Sequence, residues 1–465
     1  MHRFWGVLLP VLLLGGALAA CTPKVVERVA PAAEAREPSS PASTEPALPP
    51  PSFVAVADDD PAAAYAPYYA ELVGRELVAG DTPSIVESLA TAGSNDVLVV
   101  SSRGHDPVVS RADLGEGVRV GRLLVGDADA WSVRIAADAD RILISSDPPS
   151  VRADPDEAIV RLSDDPRALG PVNDLLRTTD AEVRVHHADA DRAWMVEVVQ
   201  SAPTLPGGGH LVFEGKRLVA LYGHPTTPSL GVLGEQGPEA AVARAIDLAA
   251  EYATDDLVPV PAFDVIATIA AAEAGDDGDY SRETPIEALR PWVDAARDAG
   301  VYVVLDLQPG RTDFLTQAKR YEELLLEPHV GLALDPEWRL GPNQVHLRQI
   351  GSVNATEVNA VADWLADLTR SSALPQKLLL VHQFKLTMIA DRELLDTSHP
   401  ELAHTIQMDG QGPIGTKDET YGAITRGFED RVFWGWKNFH DEDVPTPSPE
   451  HTMTRTPEPV FVSYQ

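Results

Sequence analysis

The 465-residue chain has a single cysteine, Cys21, and few cations: 37 Lys+Arg stand against 71 Asp+Glu, a formal net charge of -34. One cysteine excludes an intramolecular disulfide. The acidic excess disfavours nucleic acid and anionic lipid headgroups as partners, because phosphate binding needs clustered cations. Beyond the N-terminus no apolar run is long enough to span a bilayer. Pro206-Gly207-Gly208-Gly209-His210 is followed by neither a helix nor a Lys, so it reads as a linker rather than a phosphate loop. Metal-ligand spacing is also missing. There is no His-x-His pair, and the adjacent His186 and His187 would face opposite sides of a strand. Neither a cofactor nor a metal is therefore expected.

What the chain does have begins at its N-terminus. Met1-His2-Arg3 is followed by an apolar run from Phe4 to Ala17 and then by Leu18-Ala19-Ala20-Cys21. A basic start, a core too short to span as a stable helix and small residues before a cut are the parts of a signal peptide. The tetrapeptide resembles the lipobox of bacterial lipoproteins. That resemblance implies cleavage after residue 20, lipid on Cys21, and a body held outside the cytoplasm on the bacterial cell membrane. Residues 21–60, rich in Pro, Ala, Ser and Glu, are expected to be a spacer too poor in apolar side chains to fold.

Residues 61–210 alternate between short strand-like runs (Asp96 to Ser101, Gly121 to Gly126, Arg141 to Ser145) and helical stretches (Pro83 to Ala90, Pro166 to Leu176). A small α/β domain is expected there, without a chemical signature. From 215 to 465 the alternation becomes regular. Strands are expected at Leu218 to Tyr222, Phe263 to Ala270, Val301 to Leu307, Val330 to Asp335, Lys377 to His382, Thr405 to Asp409, Arg431 to Trp436 and Val460 to Tyr464. Helices are expected at Pro238 to Tyr252, Pro285 to Ala299, Phe314 to Leu326 and Glu357 to Thr369. Val242, Ile246, Ala249 and Ala253 form the stripe of the first, and Val358, Val361, Leu365 and Leu368 that of the last. The fold class is thus α/β, with a C-terminal (β/α)8 TIM-type barrel preceded by the small α/β domain.

Such barrels carry their chemistry just after the strands, and polar residues cluster there: Tyr222 and His224; Asp306 and Gln308; Asp335 and Glu337; His382 and Gln383; Gln407 and Asp409; Trp436, Lys437 and Asn438; Tyr464. Within Gly331-Leu332-Ala333-Leu334-Asp335-Pro336-Glu337-Trp338, alternation puts Gly331 and Ala333 inside and projects Asp335 and Glu337 to one side. Two carboxylates so placed repel, and the more enclosed one should keep its proton. Glu337, beside Trp338, is the candidate acid, with Asp306 or Asp409 as a partner across the mouth. Alternation admits only one of Trp436 and Lys437 to the interior and leaves open which.

Carboxylates with aromatic and amide side chains suit carbohydrate. The stretch from Gly331 to Trp338 resembles the fourth-strand signature of chitinase-like glycosidases, Gly-x-Asp-x-Asp-x-Glu followed by an aromatic. The resemblance implies Glu337 as general acid and Asp335 as a neighbour orienting an N-acetyl group. It departs at Ala333, which stands where the signature has its first Asp, and at Pro336. The expected function is a cell-envelope protein that cuts or binds a glycan. Tyr222, His224, Gln308, His382, Gln383, Gln407, Trp436, Lys437 and Tyr464 are its candidate sugar contacts. Two alternatives stand beside it: a non-catalytic glycan-binding scaffold, and a metal-dependent barrel hydrolase ligated by Asp306, Asp335, Glu337, His382 and Asp409.

Overall fold

Local sequence pattern accounts for most elements of the chain. A computed structural model of the protein describes residues 165–185 and 190–465 without a break, and before them residues 53–57, 63, 76–91, 96–102, 108–109, 111–114, 119–125, 141–145 and 157–161. Cys21, the segment that resembles a lipobox, His186 and His187 lie outside the described residues.

Two small parallel sheets precede the barrel. Strands β1 (Phe53–Val56), β2 (Glu76–Ala79), β3 (Asp96–Ser102) and β4 (Arg119–Val125) form one, in the order β2-β1-β3-β4. Strand β1 lies within the stretch expected to be spacer. Ile85 and Leu89, four apart on the helix Thr82–Thr91, pack on Ala55, Val97 and Val99 of this sheet. Strands β5 (Arg141–Ser145), β6 (Glu157–Arg161) and β7 (Glu182–Val185) form the other, in the order β6-β5-β7. Helices Pro171–Thr178 and Ala190–Ser201 cover it with Leu175, Leu176, Val196 and Val199. This second sheet is tied to the barrel: Arg370 bridges Asp191 at 2.5 Å and stacks on Trp194, and the amide of His210 donates to the carbonyl of Arg167.

The strands that follow are β8 (Lys216–Gly223), β9 (Val258–Ala270), β10 (Ser281–Glu283), β11 (Tyr302–Leu307), β12 (Val330–Leu334), β13 (Val353–Asn354), β14 (Lys377–His382), β15 (Ile389–Ala390), β16 (Leu402–Met408), β17 (Phe433–Asn438) and β18 (Phe461–Tyr464). Eight of them, β8-β9-β11-β12-β14-β16-β17-β18, run parallel and close when β18 pairs with β8. This is the (β/α)8 barrel the sequence pattern predicts. Strand β10 is an antiparallel addition on the far end of β9, and β13 and β15 pair outside the ring. Among the described residues no helix is long and apolar enough to cross a membrane.

Alternation sorts the barrel side chains into two cores. Leu218, Ala220, Val260, Ala262, Tyr302, Val304, Ala333, Leu378, Leu380, Ala403 and Phe461 fill the lower interior. Leu332, Leu334, Val303, Leu305, Leu379, Val381 and Ile406 face outward under the helices. Gly331 gives Tyr302 room inside the ring, since a Cβ there would come within 3.0 Å of the Tyr302 hydroxyl.

Two expected helices differ in detail. Helix Pro238–Ala250 buries Ala249 of the expected stripe and packs Val242 partly on the core, but turns Ala241 and Ala245 to the barrel, leaves Ile246 exposed and ends before Ala253. Small side chains let the helix approach the strands closely. The single helix expected from Phe314 to Leu326 is broken at Tyr321 into Phe314–Arg320 and Glu322–Leu325. The buried Tyr321 hydroxyl donates to the carbonyls of Ala267 and Thr284, and reaching them takes precedence over helical continuity. Helix Ala355–Ser371, capped by Asn354, buries Val358, Val361 and Leu365 as its stripe implies.

Candidate active site

Each inward row that is apolar at the bottom of the barrel becomes polar at the C-terminal end. Leu218 and Ala220 lead to Tyr222, Val260 and Ala262 to Asp264, Val304 to Asp306, and Ala333 to Asp335. Leu378 and Leu380 lead to His382, Ala403 and Thr405 to Gln407 and Asp409, Gly435 to Lys437. A steady period of two puts these on one side of the sheet as far as the strands run; Asp335 and Asp409 follow the last residues of β12 and β16. Above them opens a cavity of about 690 Å³ whose lining includes Tyr222, Gln308, Asp335, Glu337, Trp338, Phe384, Asp409 and Lys437.

Asp335 and Glu337 reach this cavity by a route other than strand alternation. Strand β12 stops at Leu334, because Pro336 has no N–H for the ladder and suits the first turn of a helix instead. Residues Pro336–Trp338 form a single 3-10 turn, and Asp335 caps it by accepting from the Glu337 amide at 3.1 Å. The turn is held in place by Gly351, whose amide donates to the Glu337 carbonyl at 2.8 Å. Any Cβ on Gly351 would collide with the carbonyl oxygens of Pro336, Glu337 and Arg339.

His382 stands at the centre of the charges. Its Nε2 lies 3.5 Å from Asp306 and its Nδ1 lies 3.1 Å from Asp409, within ion-pairing distance though neither contact is aligned as a hydrogen bond. Burial alone would lower its pKa, but Asp306 and then Asp409 outweigh burial and hold it well above the usual histidine value. The two aspartates thus favour the protonated form of His382. Asp306 also accepts from the Tyr222 hydroxyl at 3.1 Å, and Gln308 donates to that hydroxyl at 3.3 Å. Tyr222 is pushed well above its ordinary pKa, first by burial and then by Asp306, so it stays a neutral donor.

Glu337 and Asp335 hold their protons unusually well. Burial, then the charge of Asp409, raises Glu337 to about 7. Asp335 is raised well above the ordinary aspartate value, again chiefly by burial and against the pull of His382. A fifth acid, which the sequence reading missed, is Asp264. It is fully buried, raised to about 7 by burial, and neither of its oxygens has a hydrogen-bond partner. Asp264 sits within an apolar run rather than at its end, because β9 extends past the barrel to pair with β10. The bulge where β11 meets β9 was another signal that pattern alone does not carry.

Of the predicted residues, Tyr222, Gln308, Asp335, Glu337, Asp409 and Lys437 line the cavity, and Asp306 and His382 lie directly behind them. Others sit elsewhere. Lys437 rather than Trp436 takes the interior position on β17. Trp436 faces outward between Tyr421 and Arg455, where its indole donates to Asn438 at 2.7 Å. Tyr464 shares a 2.7 Å hydrogen bond with Tyr252 on the outer side of the barrel. Gln407 is turned inward on Ser463 at 2.6 Å, below the cavity. His224 is fixed on Thr284 at 3.0 Å, and Gln383 accepts from Arg392 at 3.1 Å. These five make packing and hydrogen-bond contacts and are absent from the cavity lining: Trp436 and Tyr464 face outward, and Gln407 faces inward below the opening. Ala333 pairs in register with Asp306, so the neighbouring strand carries a carboxyl beside the position that Ala333 fills. The five donors Asp306, Asp335, Glu337, His382 and Asp409 do not converge as a metal site. Among the described residues the group of acids close enough to share an ion is Asp277, Asp279 and Glu283, away from these five.

No family model matches the chain, and no curated protein matches it. Among solved structures, Cel5A of Thermotoga maritima, a mutant form in complex with cellobiose substrate, is similar over 57% of this chain and 91% of its own, with 10% identity and a TM-score of 0.29. An endo-beta-N-acetylglucosaminidase from Cordyceps militaris, in apo form, is similar over 60% of this chain and 87% of its own, with 14% identity and a TM-score of 0.24.

Proposed function

We propose that the protein is a glycoside hydrolase of the cell envelope, with Glu337 as general acid and Asp409 as the opposing carboxylate. The observation that carries this reading is one cavity lined by a carboxyl that titrates near 7 and a second carboxyl 3.1 Å from an imidazolium. Glu337 donates its proton to the glycosidic oxygen as the bond to the sugar breaks. Asp409 stabilises the positive charge that develops on the ring or activates the water that captures it. Asp335, beside Glu337 and itself holding a proton, offers a hydrogen-bond donor to a substrate oxygen. Asp306 and Tyr222 position His382, which in turn positions Asp409. Trp338, Phe384 and Phe439 offer rings for sugar faces.

The test is release of reducing ends from a panel of cell-wall and storage glycans, followed across pH. The acid must be protonated, so kcat is expected to fall as pH rises through about 7, where Glu337 loses its proton. Absence of hydrolysis across the panel overturns the enzymatic reading. It would favour a protein that binds glycan without cutting it, the reading that Ala333 supports.

The tether belongs to the same proposal. If Cys21 carries lipid, Cys21→Ala moves the protein from the membrane fraction to the soluble extracytoplasmic fraction; unchanged fractionation removes the anchor.

A further inference from the structure

The chain contains seven lysines, at positions 24, 216, 319, 377, 385, 417 and 437. Three of them, Lys385, Lys417 and Lys437, line the one cavity that holds Glu337 and Asp409. A protein of net charge -34 that places its cations mostly as arginine has little reason to gather lysines at a carboxylate-lined mouth for solubility.

The buried lysines elsewhere have evident work. Lys216 donates to the Gly208 carbonyl at 2.6 Å, and Lys377 donates to the carbonyls of Glu327 and Val330 at 2.9 Å. Lys417, in the cavity wall, is engaged with Asp443 and with the Lys437 carbonyl. Lys437 is different. Its side chain is 4% exposed, and its ammonium sits 3.2 Å from the centre of the Tyr222 ring, with Phe439 at 5.2 Å. Among the described residues it makes no hydrogen bond, and no carboxylate lies within 4.0 Å of it. Asp264 and Glu337 sense its charge from further away.

An ammonium has three donors and no acceptor, and this one, on a buried residue, opens onto the cavity without a protein acceptor. The face of Tyr222 compensates part of that charge but accepts no hydrogen bond in line. An anionic acceptor for it can enter only through the cavity, displacing solvent. We propose that Lys437 receives a carboxylate carried by the glycan, so that the barrel takes an acidic saccharide. This rests on the glycan reading of the site and names its substrate class. Lys385 at the exposed rim, Lys417 in the wall and Lys437 at the floor mark the direction in which an anionic group enters. The protons held by Asp335 and Glu337 remove much of the repulsion it would otherwise meet. Lys437 then fixes the register of the sugar relative to Glu337, and the cation–π contact keeps the ammonium pointed upward when the site is empty.

The experiment is calorimetric binding to the full-length protein. Its probes are oligogalacturonate, a glucuronate-containing hyaluronan fragment and a muramic-acid-bearing disaccharide, each beside its carboxyl-reduced neutral counterpart. At least one acidic probe is expected to bind ten-fold or more tightly than its neutral counterpart, and to weaken as salt rises. Lys437→Met should abolish the preference, so that within this variant the acidic probe binds no more tightly than its neutral counterpart, and Lys437→Arg should retain most of the preference. Equal binding of acidic and neutral forms by the native protein overturns the proposal without using any variant, and leaves the glycan reading standing. Equal weakening of both by Lys437→Met overturns it as well. If no saccharide binds, acidic or neutral, the glycan reading falls with it.

Discussion

Replacing Glu337 by Gln is expected to lower kcat/KM on a hydrolysed glycan by about 10^2- to 10^4-fold, the usual contribution of a positioned general acid. At about 1.4 kcal/mol per factor of ten this is roughly 3 to 5 kcal/mol of lost transition-state stabilisation. Gln keeps the shape and a hydrogen-bonding head, and the contact that orders the turn, from the Glu337 amide to Asp335, is made by backbone and is untouched. The loss should therefore appear in kcat rather than in folding. The decline in rate near pH 7 should vanish in the variant, because the proton whose loss causes it is gone. Stability adds a second readout. A carboxyl whose folded pKa is raised, here to about 7, favours folding at low pH and loses that contribution as pH rises through about 7. Glu337→Gln removes that dependence, so its stability relative to the native protein should be better at pH 8 than at pH 5. A rate loss of only a few-fold would remove Glu337 from the acid role.

His382→Leu is expected to cost about 3 to 5 kcal/mol of stability, the effect of removing one member of a buried charge group. The ring lies between Asp306 and Asp409, fully buried, and without it two carboxylates face each other across an apolar substitute. The pH dependence has a definite sign. Because the folded pKa of His382 is raised, its stabilisation is complete below the unfolded value of about 6.5 and is lost as pH rises through the folded one. The deficit of the variant, measured by denaturant unfolding, should thus be larger at pH 6 than at strongly alkaline pH. A deficit below about 1 kcal/mol at pH 6 would show that the imidazolium is not what holds the two acids together.

The inward face of the barrel was readable because side chains alternate with a period that does not depend on the rest of the molecule. Gly331 and Ala333 inside, Leu332 and Leu334 outside, follow from that rule alone. The same rule misjudged the next three residues, since Pro336 ends the ladder and Asp335 turns from strand residue to cap. The acids still meet at the cavity, but through a turn held by Gly351, which is remote in sequence from the strand and carried no signal of its own.

The sequence by itself determined that eight strands alternate with helices, where each strand lies to within a few residues, and that polar groups gather near the strand ends. These are local properties: hydrophobic period, proline, and the short reach of a turn. Tertiary structure decided which of two neighbours faces in. Lys437 and Trp436 differ by one step of register, and only the pairing of β17 with β16 and β18 fixes it. Closure also brought Asp264, hidden within an apolar run, within electrostatic range of Asp306 and His382, and set His382 between acids from strands on either side of it in chain order. A proton held near neutrality depends on burial and on charges contributed by distant segments. Neither exists until the ring has closed.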